Sequence, residues 1–404
     1  MRIPRSAHSP ALVVLAIIGL AINLRPALAG IGPLLDTIEA ATGLNHTQAS
    51  LLTTLPVFVM GMCALLVRPS RQRFGERPGI AAGAVLIAVA CALRYVATGR
   101  SGLIATAIVA GVGIALVQTL LPAFIKRNFG SQAGRVMGLY TTGIMGGAAL
   151  AAAASAGLAD ALGWPAALAL WALPAALCLP LWHAVSAPAS HVGAPAPSAA
   201  MARKLWQRPR AWALMLFFGI STGAYTLVLA WLPPFYTSLG WTPGQAGLLL
   251  GGLTLAEVVA GLMVSALIGR FADRRAPLLG MLGLLLVGLL CLIFAPLSQA
   301  LLACALLGLG IGALFPLSLI VTLDHVDHPA HAADLAAFVQ GGGYIIASGM
   351  PLIAGLLRDR FADLSHAWMV MALGTLVLFA LALRFSPASC AQFDAGAACH
   401  VRPA

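Results

Sequence analysis

Two residues place full charges where apolar sequence surrounds them: Arg25 in AINLRPALAGIGPLL and Glu257 in LTLAEVVAGL. Each lies about ten residues from either end of its run, roughly 15 Å at the helical rise, too far for a side chain to snorkel to an interface. An ionised group at such depth faces a cavity or a partner and marks function. A guanidinium offers five donors in a fixed fork, which suits a small planar anion better than a lysine would. Glu257, opposite in sign, reads in two ways: as a structural ion pair with Arg25, or as a proton site that protonates when an anion occupies Arg25. Pro26 lacks the amide that would bond the Ile22 carbonyl, and Gly30, Gly32 and Pro33 loosen the next turns, so Arg25 sits beside a break in its helix.

Weaker candidates are polar residues at similar depth. Asn23, Gln118, Tyr140, Tyr225, Gln340 and Tyr344 can each orient a small substrate, because pockets need a few convergent polar groups among apolar walls. Thr53 and Thr54 can satisfy themselves on their own helix carbonyls. Arg94, near the end of its run, is expected at an interface. Asp324, His325, Asp327, His328 and His331 are of metal-ligand type, but their spacing fits no four-ligand pattern and a solvated loop is expected. Seven cysteines are scattered without a C-x-x-C, and no metal or cofactor is expected. GVGIA at Gly111 and GLGIG at Gly308 read as close helix packing, since a phosphate loop would need a preceding strand and a lysine. No Ser/His/Asp set or paired carboxylates share one membrane face, which argues against an enzyme.

The elements that must hold these residues are membrane helices. The chain is 60% hydrophobic and 9% charged, with a mean hydropathy of +0.95, against about 25% charged in soluble domains. Runs long enough to span a bilayer occur twelve times: 11–35, 48–67, 80–97, 103–125, 136–158 and 165–182, then 211–237, 243–268, 277–296, 299–323, 335–357 and 367–384. A net charge of +11 could indicate nucleic acid, but with the amino terminus inside, 18 of the 23 Lys and Arg fall in cytoplasmic segments. That is the positive-inside rule; it argues against a nucleic-acid partner and puts both termini in the cytoplasm.

The chain also repeats itself. GLNHTQASLL from Gly43 and GWTPGQAGLL from Gly240 align at an offset of 197, and the same offset pairs RQRFGER with IGRFADR and GVGIA with GLGIG. Two parallel six-helix units follow: 1–185 and 211–385, joined by a cytoplasmic linker over 186–210 and followed by a disordered tail, 386–404. The linker holds a Pro/Ala/Ser stretch, SAPASHVGAPAPSAA, then the basic anchor RKLWQRPR. Polar residues at depth fall on helices 1, 2, 4, 5, 7, 8, 10 and 11. Helices 3, 6, 9 and 12 have almost none, so eight helices are expected to surround a polar cavity.

With these features the chain resembles the major facilitator superfamily, whose fold sets every third helix outside. Its cytoplasmic signature, G-x-x-x-D-R-x-G-R-R, is degenerate at Arg68, Gln72, Arg73, Gly75 and Arg77 and better kept at Gly269, Asp273 and Arg274, which the resemblance makes a gating loop. NLRPALAGIGPLL, GLNHTQASLLTTLPVFVMG, GLYTTGIMGGAALAA and GWPAALALWALPA are similar to the cyanate / 2-nitroimidazole transporter (CynX/NimT) family, over Ala16 to about Arg384. The resemblance implies a proton-driven or otherwise secondary transporter of small anions or small N-containing compounds; the reading adopted is a monomer of the bacterial inner membrane that imports a small anion (cyanate-, nitrate- or carboxylate-like) or small N-heterocycle, with protons as coupling ion. The rivals are a proton-antiporting drug exporter and, from another class, a membrane sensor or scaffold that no longer transports.

Overall fold

The computed structural model describes residues 10–66, 75–185, 205–271, 273–326 and 329–386. The Pro/Ala/Ser linker, Arg68 to Arg73 of the first-half loop, Asp327, His328 and the tail from residue 387 lie outside them, and so does the side chain of His331. The described residues are helical, without strands, and supply twelve helices long and apolar enough to cross a membrane. They are α1 (Pro10–Thr42), α2 (His46–Leu65), α3 (Glu76–Leu93), α4 (Arg100–Phe129), α5 (Ala133–Leu162), α6 (Trp164–Val185), α7 (Pro209–Ser238), α8 (Pro243–Arg270), α9 (Arg275–Phe294), α10 (Ala300–Leu323), α11 (Asp334–Phe361) and α12 (Ser365–Leu383). All twelve expected runs are present.

The internal repeat is built into backbone and caps alike. Gly43 after α1 and Gly240 after α7 both take positive φ, 65° and 94°, a region that glycine enters without a Cβ penalty. Two residues further on, each half starts its second helix with a reciprocal cap. Gln48 N donates to Asn45 Oδ1 at 2.8 Å and Asn45 N to Gln48 Oε1 at 3.4 Å. In the second half, Gln245 N donates to Thr242 Oγ1 at 3.2 Å and Thr242 N to Gln245 Oε1 at 3.0 Å. Gly111 and Gly308 also do equivalent work. A Cβ at Gly111 would stand 2.7 Å from Pro56 Cα on α2, and one at Gly308 would stand 2.5 Å from the Leu253 carbonyl on α8. Glycine is what lets α4 and α10 approach these neighbours backbone to backbone.

The halves meet through α2 against α11, α5 against α8, and the second part of α1 against α7. α2 and α11 stay close along their length, from Gly355 against the His46 carbonyl to Gly61 against the Gly341 carbonyl. α5 and α8 touch where Gly247 and Gly251 meet residues 149–153, near the end of the molecule remote from the start of α1. We call that the far end, and the opposite one, which holds the start of α1 and the α8–α9 turn, the basic end. α7 is the most buried span, and α6, α9 and α12 are among the least. α3 is no more exposed than α5 or α8, so the every-third-helix pattern is clear for three of the four helices.

Candidate functional site

Helix α1 is not one helix. Regular structure stops at Ile22, resumes for one turn over Pro26–Ala29, tightens to a 3-10 turn at Gly32–Leu34, and becomes α-helical again from Leu35. Asn23 and Leu24 amides bond to carbonyls three residues back, at 3.2 and 3.1 Å, instead of four. The carbonyl that Pro26 cannot serve, that of Ile22, is covered by α5. A Cβ on Gly147 would lie 1.9 Å from the Ile22 oxygen, so only glycine fits there. Gly32 does the same toward α7, where its Cβ would meet the Leu229 carbonyl at 2.5 Å.

The break presents Arg25 to the interior. Its side chain is 4% exposed, its guanidinium stacks over the Tyr225 ring at 5.4 Å, and the Tyr344 hydroxyl interacts with it. Tyr140 and Glu257 complete the set of titratable groups in electrostatic range. Five helices, α1, α5, α7, α8 and α11, thus bring one residue each to a single place. Glu257 is 3% exposed, and α10 clears room for its backbone with Gly312, where a Cβ would lie 2.4 Å away. Arg25 and Glu257 do not form an ion pair: the Arg25 Nε, both carboxylate oxygens of Glu257 and the Tyr225 hydroxyl make no hydrogen bond within the protein. Thr54 Oγ and Thr222 Oγ are likewise buried without a partner. Polar groups buried in this way are costly unless something polar meets them, and three of these residues, Arg25, Glu257 and Tyr225, lie within electrostatic range of one another, which makes this place the candidate site.

Other sequence-predicted residues fall elsewhere. Asn23 turns away: its amide donates to the Gly19 carbonyl at 2.8 Å and reaches Cys178 Sγ on α6 at 3.5 Å. Gln118 and Gln340 are half-buried on α4 and α11, and no hydrogen bond ties either to Arg25. Thr53 bonds back to the Ser50 carbonyl at 3.0 Å. Arg94 does not lie at an interface. It is 1% exposed and its Nη1 donates to the Ala27 carbonyl at 2.8 Å. At the basic end, Arg274 reaches Asp324 at 2.9 Å and also donates to the Ile268 and Phe271 carbonyls. Asp273 instead takes Arg275, at 2.6 Å, whose hydrogen bond holds the Asp273 carboxyl below the usual carboxylate range. Gly269 lies in the 3-10 turn before them. These contacts stay within the second half. His325 is not on a solvated loop either: it is 1% exposed, its Nδ1 bonds the Val321 carbonyl at 2.6 Å, and its Nε2 accepts from Arg210 Nε at 3.1 Å. Among the described residues, no group of His, Cys, Asp or Glu could hold a metal.

The far end carries contacts that sequence reasoning missed. Asp36 on α1 pairs with Arg358 on α11 at 3.2 Å and accepts from Thr237 on α7. Asp359 caps α2 from the other half, accepting from His46 N at 3.1 Å, Thr47 N at 2.9 Å and Thr47 Oγ1 at 2.5 Å. Partners separated by 201 to 322 residues leave no local signal.

The Major Facilitator Superfamily profile matches residues 12–348. The chain belongs to that superfamily. It is 38% identical to the cyanate transport protein CynX of Escherichia coli (strain K12), over 93% of this chain and 97% of the relative. It is 32% identical to the 2-nitroimidazole transporter of the same organism, over 92% and 94%, so it is a member of the CynX/NimT group. A solved bacterial homologue of the human lysosomal transporter Spinster superposes with a TM-score of 0.75 at 13% identity, covering 96% of this chain and 98% of that one. The protein is therefore a multi-pass transporter of the bacterial inner membrane rather than an enzyme.

Proposed function

We propose that this transporter carries a small anion of the cyanate, nitrate or carboxylate kind, or a small N-heterocycle, by alternating access with proton-coupled import. The observation that carries the reading is a buried arginine walled by Tyr140, Tyr225 and Tyr344 without a carboxylate bonded to it. A cation in such a place attracts a small, weakly hydrated anion. Desolvation strengthens the attraction, and the tyrosine hydroxyls can orient the ligand. The names of the two relatives, a cyanate and a 2-nitroimidazole transporter, fit this pocket: a guanidinium for a charge, aromatic faces for a flat ring. Glu257 is the proposed proton site. Arg25 opposes protonation of the buried Glu257; an anion on Arg25 cancels that opposing field, and Glu257 then holds the proton that travels with the substrate. The basic end is taken as cytoplasmic from the distribution of Lys and Arg, and transport by a monomer needs no partner chain.

The test is a thermal-shift screen of purified protein with cyanate, nitrate, formate, acetate, imidazole and 2-nitroimidazole, on wild type and Arg25→Ala. Stabilisation of wild type by one of the anions, lost by tenfold or more in affinity for the variant, is expected. Equal stabilisation of both proteins removes Arg25 from the site. If only 2-nitroimidazole binds, and binds both proteins equally, the aromatic wall rather than the charge selects the cargo.

A further inference from the structure

Several carbonyls of helix α1 lose their amides where it breaks; α5 lies against that of Ile22, and that of Ala27 has a different partner. After Pro26 the Leu28 and Ala29 amides both bond the Arg25 carbonyl, at 2.9 and 2.8 Å, the Gly30 amide bonds Pro26, and the Ile31 amide bonds Leu28 at 3.2 Å. The Ile31 amide is the one that would serve the Ala27 carbonyl in an unbroken helix. Its shift to a three-residue turn leaves the Ala27 oxygen without an amide, in a residue 1% exposed. Arg94 supplies the missing donor from α3, with Nη1 2.8 Å from that oxygen.

This is an expensive way to satisfy one carbonyl. The Arg94 side chain is 1% exposed, among the described residues the titratable group in electrostatic range of it is the Cys91 thiol, and its Nη2 makes no hydrogen bond. A buried cation without a carboxylate is retained where its contact has a purpose beyond packing. Ala27 is two residues from Arg25, and the turn between them, Pro26–Ala29, is a single helical turn that its own hydrogen bonds define weakly. A donor clamped on Ala27 fixes the rotation of that turn, and with it the direction in which Arg25 leaves the backbone.

We infer that Arg94 is a positioning residue: it acts through the Ala27 carbonyl to hold the broken turn of α1 so that Arg25 points into the tyrosine-walled site. It does not touch the substrate. The inference rests on the reading of Arg25 as the anion ligand, but its first test does not.

That test is amide hydrogen exchange on ligand-free wild type, Arg94→Met and Arg94→Lys in detergent. Arg94→Met keeps bulk without a donor, and Arg94→Lys keeps a charged donor. A charge-assisted hydrogen bond lost from a buried carbonyl predicts roughly tenfold faster exchange over residues 24–31 in Arg94→Met, a smaller rise in Arg94→Lys, and unchanged exchange in α7 and α11. Should Arg94→Met not survive extraction, Arg94→Gln, whose amide is a weaker donor on a shorter arm, takes its place. The second test is cyanate affinity by thermal shift. Arg94→Met weakens it several-fold, Arg94→Lys recovers part of the loss, and Arg25→Ala/Arg94→Met is no weaker than Arg25→Ala alone, since Arg94 acts only through Arg25. Unchanged exchange over 24–31, or losses that add in the double variant, overturn the inference. If wild type binds no anion while exchange changes as stated, the clamp stands and the assignment of substrate falls.

Discussion

At the scale of residues, the candidate site sets two opposite charges within electrostatic range of each other without a bond between them. Arg25 and Glu257 are each buried, on different halves, and Arg25 makes its contacts with tyrosine instead. A direct ion pair would satisfy both and leave an anion little to gain. Separation is what the proposed mechanism needs: a place for a negative ligand and a carboxylate able to exchange its proton. Glu257→Gln, which keeps shape and removes the proton site, is therefore expected to bind cyanate as wild type does or better. Its uptake driven by an imposed proton gradient should fall roughly tenfold or more, with the pH dependence flattened. Retention of the wild-type pH profile would end the coupling role. The two charges were legible in the sequence because nothing else charged occurs at that depth, and the three tyrosines because their helices were polar. Depth gives no direction around a helix: the Asn23 amide nitrogen points toward α6, while its Oδ1 is buried without a partner.

At the scale of elements, the break in α1 is held by three neighbours: α5 through Gly147, α7 through the close approach at Gly32, and α3 through Arg94. Gly147→Ala forces a methyl to 1.9 Å from a backbone oxygen, which backbone can relieve only by moving apart. A loss of about 1–3 kcal/mol in stability is expected, seen as a melting temperature several degrees lower. Gly146→Ala, with open space around the new methyl, should be neutral or slightly stabilising. Pro26 announced the break in the sequence. What covers the freed carbonyls could not be read there, because it depends on which glycine of α5 and which arginine of α3 come alongside. A charge near the end of a run ordinarily snorkels, so Arg94 read as interfacial. His325 read as solvated for the same kind of reason, a polar cluster after a helix, and the structure instead buries it among Arg210 from α7, Phe385 and the end of α10. Burial pushes its imidazole below the usual value, against the Val321 hydrogen bond that favours the proton, with Arg210 adding to the fall. The unfolded state therefore binds the proton more readily, and stability conferred by neutral His325 is full above the ordinary histidine value and lost as pH falls through the lowered one. Melting temperature in detergent should drop on acidification from pH 7.5 to 5.5 (on the order of a unit either side of an ordinary histidine). His325→Gln should flatten that slope, and an unaltered slope would show that another group carries it.

At the scale of the whole molecule, the contacts between halves set the cost of parting them at either end. Arg274 with Asp324 and Arg275 with Asp273 at the basic end stay within one half. At the far end, Asp36 binds Arg358 and Thr237, and Asp359 caps α2, all across the halves. Swinging the far ends apart must break these bonds and uncap the first turn of α2. Charge-assisted bonds of this kind are each worth about 1.5–3 kcal/mol when buried and less at an exposed rim. Asp359 contributes three of them from a single side chain, so Asp359→Ala lowers the cost of far-end opening without touching the central site. The readout is a buried thiol on α7, Thr222→Cys one turn before Tyr225, in a background without native cysteines, labelled by an impermeant maleimide applied to the far face of oriented vesicles. Asp359→Ala should speed labelling roughly tenfold, Asp36→Ala should do so by a comparable factor, and Arg274→Ala should change it little, since its pair lies within one half. Rates that are the same with and without Asp359 would mean that the far end opens by breaking other contacts. In that case the cap of α2 travels with α11 as one body, and the moving boundary must lie between α5 and α8, where no ion pair among the described residues joins the halves.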